Sequence, residues 1–168
     1  MKNISIYDFY INNKTTKDFI SLDSIRKYSY IKLERKHDYI QWIFPLTEKS
    51  NYNRNAPILT PSDIEILKNN EVFRNNMIDM LNIMLAFYGL KNFGDYIDKG
   101  SNFTKRKWNW ISLFGVNHNY LRLTRIIKSL YLFGFTKQAK NLQSCLLKLS
   151  KEYHFPHKTI KYWIESIK

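Results

Sequence analysis

The sequence is poor in the residues that staple or break a chain. Cys145 is its only cysteine, so no intrachain disulfide can form, and this usage fits a reducing compartment. It has five glycines and four prolines in 168 residues, which argues for helices with short connections over a strand-rich sandwich. No apolar run reaches the roughly 20 residues that span a bilayer. The opening stretch MKNISIYDFYINNKTTK lacks a continuous apolar segment and a small-residue cleavage site, so a secretory signal is not expected. There is no glycine-rich phosphate loop, no H-E-x-x-H and no C-x-x-C pair. His154 and His157 lie three apart, but Pro156 between them makes a poor metal site. Cys145, within SCLLKL, reads as a small core residue. His37 and Asp38 are adjacent, a spacing that does not let one orient the other on a helix. We therefore assign no catalytic residue, metal ligand or cofactor. An enzyme would need residues distant in sequence to converge in a cleft.

What the chain has in excess is aromatic area and positive charge. Aromatics are 16% of the sequence, with 12 Tyr, 11 Phe and 4 Trp, so most must be buried or sit at a contact surface. Lys and Arg number 27 against 14 acids, a net charge of +13. Such a surface attracts nucleic acid, anionic lipid or acidic protein. The same Lys and Asn abundance also follows from an AT-rich genome, with no partner at all.

The length fits one domain over residues 1–168, large enough to bury about 70% of its unfolded surface. Apolar spacing predicts helix after helix. One is expected within 21–33, started by Ser21, and another over 36–43, stopped by Pro45. Thr60-Pro61-Ser62-Asp63 is a helix start, with Ile64, Leu67 and Ile66 on its apolar side. Val72, Phe73, Met77, Met80, Leu81, Met84, Leu85 and Tyr88 keep helical spacing, and Gly89 ends that helix in the left-handed conformation. Residues 91–102 read as a loop and 103–113 as a helix. Asn117 caps a helix to about Phe133, with Gly134 as its stop. Further helices are expected over 137–152 and from Pro156, the last turning Ile160, Trp163, Ile164 and Ile167 inward. No strand is expected. The fold class is all-α, a single compact orthogonal bundle of about seven or eight helices.

Two basic features compete for a functional reading. In NHNYLRLTRIIKSL, Leu123, Ile126, Ile127, Leu130 and Phe133 fall in one sector, and Arg122, Arg125, Lys128 and Ser129 fall roughly opposite. Cations at i, i+3 and i+6 form a ridge that lies along phosphates, pairs with acids on a neighbouring helix, or is simply solvated. Arg at two of the three positions favours defined partners, because a guanidinium forks onto carboxylate or phosphate. Upstream, Lys105, Arg106 and Lys107 precede Trp108 and Trp110. A basic run beside aromatics is a recurring nucleic-acid surface. Both Trp residues, with Leu113 and Phe114, are equally well read as core.

Two longer stretches carry a family resemblance. HDYIQWIFPL, residues 37–46, resembles the H-x-Y-I-Q-W-L-F-P-L block of the opioid growth factor receptor conserved domain, with Ile43 in place of Leu. NHNYLRLTRIIKSLYLFGF, from Asn117, resembles its second block, H-N-Y-L-R-I-T-R-I-L-K-S-L, with Leu123 and Ile127 as conservative changes. LAFYGL, residues 85–90, resembles a helix end of the same family. The resemblance covers about residues 7–168. It implies the family's fold and a non-catalytic module that binds a peptide or protein, intracellularly, in cytoplasm or nucleus. The vertebrate member is regarded as a receptor for an enkephalin peptide. Such a ligand offers an ammonium, two rings and a carboxylate, which Asp38, Tyr39, Trp42 and Arg122 or Arg125 match in chemistry.

The ligand-binding candidates the resemblance implies are His37, Tyr39, Gln41, Trp42, Asn117, His118, Asn119, Arg122 and Arg125. On a helix over 36–43, Tyr39, Ile40, Trp42, Ile43 and Phe44 wrap too far round for one stripe, so most of the first block reads as core. His37 and Gln41, at i and i+4, would share a face and need partners, with His118 and Asn119 as candidates. The alternative is a basic nucleic-acid-binding protein that uses Lys105, Arg106 and Lys107 with Arg122, Arg125 and Lys128.

Overall fold

The computed structural model describes residues 4–111 and 117–167. Among them are ten α-helices, one 3-10 turn and one two-stranded hairpin, so the class is all-α. The chain divides into two compact units, residues 1–83 and 84–168.

The first unit begins with α1, Ile6–Tyr10, capped by Ser5, whose side chain accepts from the Asp8 amide at 3.0 Å. The stretch 21–33 is two helices rather than one. Ser21 starts α2, Leu22–Arg26, through a reciprocal capping box with Ser24, and Ser29 caps α3, Tyr30–Arg35. Each serine ties the third residue after it, and the second cap restarts the helix. The helix expected over 36–43 shrinks to one turn, α4, Ile40–Ile43. His37 lies outside it and is exposed, so it has no i, i+4 helical relation to Gln41. The burial reading of this block holds: Tyr39, Trp42, Ile43 and Phe44 are each 0% exposed. Leu46 turns inward and its carbonyl accepts from the Leu59 amide at 3.1 Å. Trp42 packs on Phe9, and Phe9 and Tyr10 continue the ring cluster to Phe73.

Thr60 and Asp63 close a capping box on α5, Pro61–Lys68, as the sequence indicates. Only Leu67 of its apolar residues is fully buried; Ile66 is exposed. The 18-residue helix α6, Glu71–Tyr88, follows. Phe73, Met77, Met80, Leu81, Met84, Leu85 and Tyr88 are buried, while Val72, in its first turn, is exposed.

In the second unit the expected loop 91–102 contains a hairpin. β1, Leu90–Asn92, pairs antiparallel with β2, Ile97–Lys99. The helix expected over 103–113 is α7, Phe103–Arg106, followed by the 3-10 turn Lys107–Trp110; Leu113 and Phe114 lie outside the described residues. Asn117 caps α8, His118–Leu132, and Gly134 ends it at φ +77°. α9, Thr136–Tyr153, and α10, His157–Glu165, match expectation in extent. α8, α9 and α10 pack on one another, and α9 also packs on β2. Of the residues expected inward on α10, Trp163 is fully buried, whereas Ile164 is exposed.

Candidate functional site

The end of α6 organises the second unit. The last carbonyls of a helix have no partner within it and must be satisfied from outside. Here the residues of α7 and the following turn do so with side chains. Asn102 donates to the Ala86 carbonyl at 2.9 Å. Arg106 Nε and Asn109 Nδ2 donate to the Phe87 carbonyl at 3.0 and 2.6 Å. Trp110 Nε1 donates to the Tyr88 carbonyl at 3.0 Å, and the Gly100 amide donates to the Gly89 carbonyl at 2.8 Å. This pins the basic run residue by residue. Arg106 is committed to the Phe87 carbonyl and lies over the Phe87 ring. Trp110 is 2% exposed, in a ring cluster with Phe103, Tyr120, Phe155 and Trp163. Lys105, Lys107 and Trp108 are left outside. Trp108 is 72% exposed, while Trp42, Trp110 and Trp163 are buried.

The second block folds back onto this turn. The Asn117 side chain accepts from the Asn119 amide at 2.9 Å and donates to the carbonyls of Asn109 and Ile111. Asn119 is buried, with Oδ1 3.5 Å from the Tyr88 hydroxyl and 3.4 Å from Arg122 Nη1. Tyr120 donates to the Trp110 carbonyl at 2.6 Å, and burial pushes its phenol pKa up. The cationic ridge is not a solvated face. Arg122 is only 5% exposed, Ser129 is 0%, and Arg125 and Lys128 are half-buried. All four are engaged by other groups of the protein. His118 alone of this block's ligand candidates is exposed.

The first block gives a similar division. Tyr39 donates to the Leu33 carbonyl at 2.9 Å. Gln41 is 4% exposed and Trp42 0%. Gln41 Oε1, Trp42 Nε1 and one carboxylate oxygen of Asp38 are buried without a hydrogen-bond partner among the described residues. Each such group carries a desolvation cost of about 1–3 kcal/mol. His37 is exposed. Of the nine candidates, then, Tyr39, Gln41, Trp42, Asn119 and Arg122 are buried, Asn117 and Arg125 are half-buried, and only His37 and His118 face solvent.

A further surface in the first unit has no counterpart in the sequence reading. Phe19 is 86% exposed and adopts a left-handed φ of +58°. Its turn is tied by Thr16, whose amide donates to the Ile20 carbonyl at 2.8 Å and whose Oγ1 accepts from Asp18 and Ile20 amides. Asn55 Nδ2 reaches the Asp18 carboxylate at 3.4 Å, and the loop that carries Asn55 also carries Tyr52, 75% exposed. Only the T-T-K-D-F-I composition hints at a turn here; the direction of Phe19 follows from a dihedral angle that the sequence does not display.

Among the described residues, no helix is long and apolar enough to cross a membrane. No solved structure matches the chain. Opioid growth factor receptor-like protein 1 of Mus musculus is 41% identical over 113 residues, 65% of this chain and 23% of that protein. The Xenopus tropicalis protein of the same name is 35% identical over 148 residues, 84% of this chain and 27% of that protein. Opioid growth factor receptor of Homo sapiens is 36% identical over 107 residues, 61% of this chain and 15% of that protein. These alignments thus take in about a quarter or less of each relative's length. A family model described as the opioid growth factor receptor (OGFr) conserved region matches residues 1–168. The chain belongs to the opioid growth factor receptor conserved-region family.

Proposed function

We propose that this chain is a non-catalytic, intracellular binding module whose ligand is a peptide or an extended protein segment. The observation that carries the reading is the display of Phe19. A bulky residue in the left-handed region costs roughly 1–2 kcal/mol, and a Phe left in water forgoes its burial energy. Both penalties fall on one ring, 86% exposed, on a turn held by several hydrogen bonds. A residue whose backbone is fixed in this way is a preorganised anchor, because little backbone order is lost when a partner closes on its ring. Tyr52, on the loop tethered through Asn55 and Asp18, offers a second ring. The receptor names of the relatives support a ligand of this class, and an enkephalin pentapeptide, with its two rings, is one member to test.

The test is selection from a phage-displayed random peptide library, with an enkephalin pentapeptide titrated in parallel by calorimetry. Peptides captured by the native protein should lose about tenfold or more in affinity on the Phe19→Ala, Tyr52→Ala double variant, as aromatic hot spots do. If captured peptides bind that variant equally well, the site assignment fails. If neither the library nor the pentapeptide yields a ligand, the peptide reading fails with it.

A further inference from the structure

We infer that the surface formed by α7 and the adjoining 3-10 turn, centred on Trp108, binds single-stranded nucleic acid. This site lies on the second unit and is independent of the Phe19 reading.

The charge of the protein is concentrated in the second unit. Residues 84–168 contain fifteen Lys and Arg and four acids, and residues 1–83 contain twelve and ten. Between Asp98 and Glu152 there is no acid at all, while Lys99 to Lys151 holds eleven Lys and Arg. Three of the four acids are spent tying the hairpin region to α9. Lys137 pairs with Asp95 at 2.7 Å, Lys148 pairs with Asp98 at 2.6 Å, and Lys99 pairs with Glu152. Lys105 and Lys107 are exposed and, among the described residues, pair with no acid.

Between these two lysines and the buried Trp110 stands Trp108, against which no ring or cation packs among the described residues. The backbone that carries it is held in place because its neighbours on both sides are fixed. Arg106 and Asn109 cap the Phe87 carbonyl, and Trp110 caps that of Tyr88. A flat ring held in solvent with lysines one and three residues before it suits a base and its phosphates together. In a duplex the base faces are covered by their neighbours, so stacking on Trp108 requires a single strand. A membrane suits the patch less well. Among the described residues of the same segment, Phe103 and Trp110 face inward and only Trp108 and Ile111 are exposed apolar side chains, too few for a broad inserting face. The cationic ridge of α8 plays no part, since Arg122 is buried.

Fluorescently labelled oligo(dT) of about 12 nucleotides, a length within known single-strand site sizes, is titrated into the full chain at low and near-physiological salt, beside the matching duplex, phosphatidylserine vesicles and polyglutamate. Oligo(dT) should bind and quench tryptophan emission. Trp108→Ala should weaken that binding about tenfold or more, with Trp108→Phe recovering part of it. Lys105→Gln with Lys107→Gln should reduce the slope of log K against log salt by about 1.4, at roughly 0.7 for each phosphate contact. Circular dichroism should show unchanged folding, because all three side chains are exposed. Oligo(dT) binding that ignores Trp108→Ala overturns the inference, and so does equal loss of duplex binding. Binding confined to vesicles or polyglutamate overturns it in favour of a lipid or an acidic protein.

Discussion

Gly89 is where the sequence leaves the protein least freedom. It ends α6 at φ +76°, and an added Cβ would sit 2.6 Å from the Phe103 Cα and 3.0 Å from the Arg106 Cβ. The first of these atoms is backbone and cannot rotate away. Gly89→Ala therefore carries two penalties: about 1–2 kcal/mol for the left-handed conformation, and about 1–3 kcal/mol for displacing α7. The displacement matters beyond the clash, because α7 and its turn supply the donors to the carbonyls of residues 86–88. Gly94 separates the two terms. It has φ +89° with nothing within 4 Å of an added Cβ, so Gly94→Ala carries only the conformational cost. We expect Gly89→Ala to lose about 3 kcal/mol, a fall in Tm of about 6–12 °C for a chain of this size, and Gly94→Ala to lose about half as much. Thermal melts followed by helical dichroism, with urea melts for the free energies, make the comparison. Equal losses at the two positions would refute the close approach of Phe103 to the end of α6.

Phe19→Gly should melt above Phe19→Ala by about 2–4 °C, because only glycine relieves the φ of +58°; the reverse order in a thermal melt would remove the strain argument. Burial pushes the Cys145 thiol up to about 12, so a thiol reagent near pH 8 should leave it unmodified in native protein and modify it fully in urea; rapid native labelling would contradict its burial. The hydrogen bond from Lys148 holds the Asp98 carboxyl below its ordinary 3.8, and that bond raises Lys148 above 10.5. The stability this pair adds is thus complete between the two ordinary values. It is lost as pH falls through the lowered carboxylate value or rises through the raised ammonium value. Asp98→Asn should flatten the acid limb of stability against pH, and an unchanged limb in urea melts from pH 2 to 6 would exclude the pair. Gln41→Met should alter stability by less than about 1 kcal/mol, since it removes a buried oxygen that has no partner among the described residues; a loss near 3 kcal/mol in urea would mean that the oxygen is satisfied in solution.

The parts of the fold that could be read in the sequence are those set by local chemistry. Thr60 with Asp63, Asn117 before α8, and Gly89 and Gly134 after their helices each act within three residues of their own backbone. Cap residues and left-handed glycines therefore place helix ends without tertiary knowledge. The hairpin was illegible because each of its strands has three residues and only one fully buried side chain, too short for an alternation to register. Trp108 and Trp110 were inseparable for a different reason. They share a residue type and a basic neighbourhood, and what divides them is which indole reaches a carbonyl of α6. On the helical wheel of α8 Arg122 lies about 100° from Leu123, at the edge of the apolar sector, and it is buried with that sector, because charge pattern alone cannot distinguish a solvated sector from a packed one.

The same division bears on what family membership transmits. Tyr39, Trp42 and Phe44 of the first block are 0% exposed, and Asn119, Arg122 and Ile126 of the second are at most 5% exposed. A residue buried to that degree cannot touch a ligand without local unfolding; it fixes helix ends and ring clusters. The two blocks that carry the resemblance therefore serve mostly to build the fold of this chain. On the proposed reading, ligand choice resides on the surfaces those blocks hold up, where the most exposed rings among the described residues are Phe19, Tyr52 and Trp108, all outside both blocks. Two members of the family can then share the fold and differ in ligand, which is how fold and function separate elsewhere. Exchanging exposed residues between this chain and a relative should move ligand preference and leave Tm unchanged, while exchanging block residues should do the opposite. If grafting the exposed residues left ligand preference with the blocks, the blocks themselves would be the recognition surface, and their burial would have to open on binding.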